Sequence, residues 1–128
     1  MKDYKFFTSD ELKCKCGKCD GGEMDESFMW RLEGLRERCS FPFIVTSGYR
    51  CPAYNQAVGG AKDSAHMEGK AVDINVYGER AAVLNGLAYS YGFMGMGLSQ
   101  TGPYSERIIH LDTALSTTWR TRPTIWTY

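Results

Sequence analysis

The chain has two histidines, His66 and His110, and each lies beside or within an apolar, strand-like segment and has a carboxylate at short spacing. Either histidine alone would most simply be a hydrogen-bonded core or surface residue. Together with Asp73, they supply two imidazoles and one carboxylate. A zinc ion held by three protein groups keeps a fourth position for water, which is typical of a catalytic site. We therefore predict that His66, Asp73 and His110 bind Zn²⁺.

The histidines belong to a longer pattern of residue types at fixed offsets. It comprises Ser64-x-His66-x-x-Gly69-x-Ala71-x-Asp73, with Ser47-Gly48-Tyr49-Arg50 upstream and His110-x-Asp112 downstream. The pattern resembles the zinc D-alanyl-D-alanine carboxypeptidase family. Relatives of that family include phage L-alanyl-D-glutamate endolysins, murein endopeptidases and the hedgehog signalling domain. The resemblance runs from about Phe7 to about Trp119.

The resemblance also implies roles for residues beyond the metal ligands. Arg50 matches an arginine that lies near the metal in relatives and interacts with a substrate carbonyl or carboxylate, so we expect it in both catalysis and substrate binding. Ser64 matches a serine that positions the substrate or its loop. Tyr49 and Trp119 are candidates for lining the cleft or stacking on a sugar, and their simpler interpretation is packing in the core. Trp126 is given no role.

The sequence offers three carboxylates for the general base. Many relatives carry an acidic residue three positions before the last ligand histidine, and this chain has Arg107 there. We expect Glu106 to be the base, because regular alternation along a strand would give it the same face as His110. Asp112 is the alternative base, or a group that fixes a ligand imidazole. Glu68 is a third carboxylate, most simply an exposed loop residue.

The chain contains five cysteines, of which Cys14, Cys16 and Cys19 are clustered in sequence while Cys39 and Cys51 lie far away. Without an export signal, a disulfide framework is not expected. Thiolates at this spacing suit tetrahedral zinc, so a second site could use the cluster with Cys39 or Cys51. The simpler interpretation, which we favour, is reduced thiols in a loop that packs on the domain.

Periodicity predicts a single α+β domain over residues 1–128, with a small, mostly antiparallel sheet flanked by helices. This class agrees with the hedgehog and D-Ala-D-Ala carboxypeptidase resemblance. The predicted helical segments are a turn opened by a capping box at 8–11, an amphipathic helix at 25–39, a turn at 52–58 and a helix at 78–91. The predicted strands are 41–46, 70–76, 93–98 and 106–112. The tail, 115–128, shows no clear period.

Composition excludes several classes of partner. Lysine plus arginine number 15 and aspartate plus glutamate number 15, so no strong field favours nucleic acid or an anionic membrane. No apolar run approaches the roughly 20 residues needed for membrane insertion. The N-terminal segment lacks the features of a signal peptide. We expect synthesis in the cytosol, followed by action on the cell wall after release or as part of a larger virion assembly.

The function implied by the resemblance is that of a zinc metallopeptidase that cleaves peptidoglycan stem peptides. It would act as a D,D-carboxypeptidase or as an endopeptidase, such as a phage endolysin or virion-associated lysin. The alternative is a zinc-fold module of a virion or cell-wall-binding protein without efficient catalysis, and the missing acidic residue at position 107 is its main support. A hedgehog-like signalling role ranks third because no signal peptide is visible.

Overall fold

The computed structural model describes all 128 residues, Met1–Tyr128, and its elements confirm the predicted α+β class. The helices are α1 Ser9–Leu12, α2 Glu26–Cys39, α3 Pro52–Ala57 and α4 Gly78–Ala88. The strands are β1 Ile44–Ser47, β2 Ala71–Asn75, β3 Gly95–Ser99, β4 Ile108–Asp112 and β5 Thr124–Thr127. Short 3-10 turns cover Ala65–Glu68, Tyr89–Tyr91 and Tyr104–Glu106. None of the helices combines the length and apolar character that a membrane crossing requires.

The five strands form one sheet in the order β1-β2-β4-β3-β5. Three neighbouring pairs are antiparallel, and β5 runs parallel to β3. Side chains alternate between the two faces of a strand. On the central strands, one face carries apolar residues that enter the hydrophobic core, namely Val72, Ile74, Ile109 and Leu111. The other face carries Asp73 and His110, so the centre of the sheet separates the core from a polar face.

Helix α2 covers the apolar face of the sheet as its sequence predicts. Phe28, Met29, Leu32 and Leu35 are fully buried and form the helical stripe. The helix begins after Asp25, whose side chain accepts a hydrogen bond from the backbone N–H of Phe28 at 2.9 Å. Such a cap stabilises a helix by about 1 kcal/mol. The amphipathic pattern was therefore sufficient to locate this helix.

The tail contains a strand that the sequence analysis missed. Strand β5 has four residues, lies at the edge of the sheet and is only half-buried on alternate positions, so it lacks a uniform apolar face. Its pairing with β3 depends on Gly97, because a Cβ atom there would lie 2.6 Å from Cε2 of Trp126. The strand forms because the tail packs closely against β3, and its own sequence shows no periodic pattern that would predict it.

The structure also corrects the limits of β4. The sequence predicted a strand from residue 106, but Glu106 ends a 3-10 turn and the strand begins at Ile108. The argument that Glu106 shares a strand face with His110 is therefore wrong. Any catalytic role for Glu106 has to rest on its position in the turn.

The Gly97 contact yields a prediction about stability. Gly97→Ala should lower the free energy of unfolding by about 1–3 kcal/mol, because the added methyl group overpacks against Trp126. Gly86→Ala is the matched control, since no atom lies within 4 Å of a Cβ added at that position of α4. It should stabilise the protein by roughly 0.5–1 kcal/mol. Urea denaturation measures both changes, and equal stability of the two variants would contradict the packing of β5.

Candidate metal centre

Three side chains converge on the polar face of the sheet. Asp73 and His110 are directly paired residues of β2 and β4, and His66 enters from the 3-10 turn before β2. Oδ1 of Asp73 lies 3.2 Å from Nε2 of His66 and 3.0 Å from Nδ1 of His110. The three ligand atoms lie within 4.8 Å of one another, and all three residues are buried. The residues predicted from the sequence are thus brought together with donor atoms suited to a metal.

The ring of His66 is oriented by the backbone. Its Nδ1 lies 2.7 Å from the carbonyl oxygen of Gly48, so the N–H at Nδ1 donates there and Nε2 faces the site. The hydroxyl of Ser64 accepts a hydrogen bond from the His66 backbone N–H at 3.2 Å. Gly69, at φ +68°, closes this turn, and a Cβ there would lie 2.5 Å from the Glu23 carbonyl oxygen. Ser64 and Gly69 therefore shape the loop that presents His66.

The ring of His110 is held on its other side by a carboxylate. Its Nε2 lies 2.7 Å from Oδ2 of Asp112, so Nδ1 is the nitrogen that faces Asp73. Asp112 is completely buried, and it accepts hydrogen bonds from both Nε and Nη2 of Arg122, at 2.9 and 2.7 Å. It also accepts from the backbone N–H of Ala114 at 3.2 Å. These four contacts engage both carboxylate oxygens of Asp112 and hold the carboxylate against His110.

The electrostatics of the site favour ionised carboxylates. Burial would raise the pKa of Asp73, but hydrogen bonds from His110 and His66 outweigh it and hold the pKa well below its usual range. The pKa of Asp112 is also lowered, because hydrogen bonds from His110 and Arg122 outweigh burial. Burial would lower the pKa of His110, but its bonds to Asp112 and Asp73 raise it instead. The centre therefore presents anionic oxygen in a buried place, which suits a cation.

Arg50 borders the same carboxylate. Its Nη2 lies 3.3 Å from Oδ2 of Asp73, the oxygen that faces away from the imidazoles. Its Nε donates to the hydroxyl of Ser47 at 3.0 Å, and Nη1 donates to Oδ1 of Asn55 at 3.4 Å. These contacts hold the guanidinium group beside the three ligand candidates, where the sequence predicted it.

A cleft of about 690 Å³ opens over the three ligand candidates. The other residues expected at the site that line it are Arg50, Ser64, Glu106, Asp112 and Trp119. Tyr49 is not among the lining residues. Its ring packs against the hydrophobic core and lies over Gly22, so the structure does not support the substrate contact expected for it.

Among the carboxylates that line the cleft, Glu106 alone makes no side-chain hydrogen bond or ion pair. It is exposed at the end of its 3-10 turn. Asp63 accepts a hydrogen bond from the hydroxyl of Thr117 at 2.8 Å, and the other two carboxylates have the partners described above. Glu68 is exposed and does not line the cleft, and it pairs at 3.0 Å with Arg120, which does. Glu106 is therefore the cleft carboxylate whose oxygens are not engaged by other side chains of the protein.

Among the residues that the sequence analysis did not assign to the site, two in the tail contact Asp112 and His110. Arg122 binds Asp112, and its guanidinium lies over the indole of Trp126 at 5.0 Å from the ring centroid. The centroid of the Trp126 ring also lies 5.2 Å from that of His110. The sequence signal was only the enrichment of arginine and tryptophan, because the local pattern has no period.

Comparisons with known proteins identify similar sequences over most of this region. A protein-family model described as Peptidase M15 matches residues 5–112, which include all three ligand candidates and Asp112. The zinc D-Ala-D-Ala carboxypeptidase of Streptomyces albus G is 35% identical over 66 residues, which are 51% of this chain and 26% of that protein. The match therefore spans about a quarter of the length of that relative.

The contacts of Asp112 yield a prediction about metal affinity. Asp112→Asn should weaken divalent-metal binding at the site by about 10- to 100-fold, because the group that orients His110 loses its charge. Competition with a chromogenic chelator measures the affinity. Asp63→Asn is the matched control, since it alters a cleft carboxylate that contacts no ligand candidate, and its affinity should be unchanged. Equal affinities of the two variants would contradict the positioning role.

Proposed function

We propose that this chain, which belongs to the peptidase M15 family, is a zinc-dependent peptidase that cleaves the stem peptides of peptidoglycan. The observation that carries the proposal is the buried group of His66, Asp73 and His110 at the floor of an open cleft. The zinc carboxypeptidase named among its relatives supports the choice of metal and substrate class.

The donor set fits zinc. Two imidazole nitrogens and one carboxylate oxygen are the ligand types of catalytic zinc sites, and both rings have their second nitrogen bonded to an oxygen acceptor. When bound, a zinc ion at such a site supplies a Lewis acid and lowers the pKa of a coordinated water to about 7. His66, Asp73 and His110 would hold the ion, and the cleft gives the substrate access from the side opposite the core.

Glu106 is proposed as the general base. Peptide hydrolysis requires a group that takes a proton from the attacking water and delivers it to the leaving amine. Glu106 lines the cleft and has no competing partner, whereas Asp112 is occupied by His110 and Arg122. The 3-10 turn places Glu106 just before the strand that carries His110, which is the reason for preferring it over Glu68.

Arg50 and Trp119 are proposed to bind the substrate. Arg50 would donate hydrogen bonds to a carbonyl or terminal carboxylate of the peptide, because a guanidinium group matches a carboxylate through two parallel bonds. Trp119 is 74% exposed and lines the cleft, so its ring offers an apolar surface to a peptide or sugar. Ser64 would act on the loop of His66 rather than on the substrate, since its hydroxyl already caps that turn.

The bond that is cut distinguishes the finer proposals. A D,D-carboxypeptidase would release free D-alanine from purified peptidoglycan. An L-alanyl-D-glutamate endopeptidase, as in a phage endolysin or a virion-associated lysin, would create new N-terminal D-glutamate. A zinc-fold module without efficient catalysis would hold the metal and release neither. Digestion of purified cell wall followed by mass analysis of the fragments therefore tests the proposed function.

The first of two predictions from the proposed function concerns the metal. His66→Ala, Asp73→Ala and His110→Ala should each remove one equivalent of zinc per chain, because two remaining ligands do not hold the ion. Elemental analysis of untagged protein measures the content, and circular dichroism checks that the fold is retained. Unchanged zinc in all three variants would contradict this assignment of the ligands.

The second prediction concerns the base. Glu106→Gln should keep the zinc and lose roughly two to four orders of magnitude in the rate of peptide cleavage, the usual size of a general-base contribution. Glu79→Gln, an exposed residue of α4 away from the cleft, should retain the full rate. Near-normal cleavage by Glu106→Gln would exclude Glu106 and leave the base to be sought elsewhere in the cleft.

A further inference from the structure

Four of the five cysteines meet at one place, beside the loop that follows β1. This cysteine cluster consists of Cys14, Cys16, Cys19 and Cys51. Their sulfur atoms all lie within 4.8 Å of one another, and none is in a disulfide. We propose that the cysteine cluster binds a structural zinc ion. Sequence alone favoured uncoordinated thiols and left open which distant cysteine might join the other three, and the convergence of Cys51 on them is the new observation.

The geometry suits a closed tetrahedral site. Four thiolates complete the coordination of zinc, so no position remains for water or substrate and the site is structural. A zinc–sulfur bond of about 2.3 Å implies sulfur–sulfur separations of roughly 3.8 Å in a regular tetrahedron. The spacing of the sulfur atoms allows this arrangement with small side-chain adjustments. Cys16 and Cys19 also have the two-residue separation that is common in structural zinc sites.

Backbone N–H groups surround the sulfur atoms. Four of them donate at 3.3 Å: those of Lys18 and Cys19 to Cys16, that of Gly21 to Cys19, and that of Cys51 to Cys14. Hydrogen bonds to charged acceptors are stronger than those to neutral ones, so these donors stabilise sulfur in the anionic form that binds metals. The contact from Cys51 to Cys14 joins residues 37 positions apart, so the cluster does not arise from a single turn.

The fifth cysteine provides an internal contrast. Cys39 ends α2, where its side chain packs against the hydrophobic core and lies outside the cluster. It is therefore a thiol of the same chain with no metal-binding partners. Substitution of Cys39 can serve as a control for the general effect of removing a cysteine.

The zinc would fasten the N-terminal loop to a segment that shapes the catalytic centre. Cys51 directly follows Arg50, and the same segment supplies the Gly48 carbonyl that orients His66. The backbone N–H of Arg50 also donates to the His66 carbonyl oxygen at 3.1 Å. A metal clamp at Cys51 would therefore restrict the loop that positions both His66 and Arg50, although it contributes no ligand to the cleft.

Zinc content of untagged protein tests the proposal. The unchanged chain should contain two equivalents, and His66→Ala should retain one. Cys16→Ser should also retain one, while Cys39→Ser should retain two. X-ray absorption at the zinc edge of the His66→Ala protein should then show a sulfur shell at about 2.3 Å, without a nitrogen or oxygen shell near 2.0 Å. This spectrum requires no cysteine variant, so the test survives if Cys16→Ser fails to fold.

Three results would overturn the proposal. The first is a single equivalent of zinc in the unchanged chain that His66→Ala abolishes. The second is a disulfide within the cysteine cluster, seen as a failure of its thiols to react with an alkylating reagent in unfolded, unreduced protein. The third is iron in place of zinc in the His66→Ala protein. None of these results bears on peptidase activity, so the cluster and the proposed function can fail separately.

Discussion

The buried carboxylate of Asp73, between two imidazoles, is the interaction on which the rest of the site depends. An ionised carboxylate withdrawn from water costs several kcal/mol unless cationic or hydrogen-bonding partners compensate for it. His66, His110 and Arg50 are those partners, and a cation bound by the two imidazoles would replace their contacts with Asp73 by its own bond to the carboxylate. The pairing of Asp73 with His110 also constrains the sheet, because a register shift of one residue would turn one of these side chains toward the core.

Each ligand candidate is oriented by a different part of the chain. The loop after β1 holds His66 through the Gly48 carbonyl, and the C-terminal tail holds His110 indirectly, through Arg122 and Asp112. The geometry of the centre therefore depends on both segments, because a displacement of the loop or of the tail would release one of the two imidazole rings. A metal ion bound by the cysteine cluster would stabilise the first of these supports, and the packing of β5 stabilises the second.

Features that depend on local sequence patterns could be predicted from the sequence, whereas features that depend on contacts between distant segments could not. The ligand candidates could be predicted because their residue types are suited to a metal. In addition, the alternation of side chains between the two faces of β2 and β4 can be read from the local sequence. Helix α2 could be predicted from its apolar stripe. Arg122 and strand β5 could not, because their positions depend on pairing with β3 and Asp112, which no local period encodes. Glu106 was placed on the wrong element because the 3-10 turn interrupts the pattern. For Tyr49 the simpler of the two interpretations fits the structure, because its ring packs against the core while the side chain of its neighbour Arg50 enters the cleft.

We expect His66 Nε2, an Asp73 carboxylate oxygen and His110 Nδ1 to hold one zinc ion together at the floor of the cleft. Anomalous diffraction at the zinc edge, from crystals of the untagged protein, locates that ion. The expected result is a peak bonded to these three atoms, at about 2.0–2.2 Å from each, with Asp112 still bonded to Nε2 of His110. A zinc peak only at the cysteine cluster, or one bonded to Nε2 of His110 with Asp112 displaced, would show that these three atoms are not the ligands.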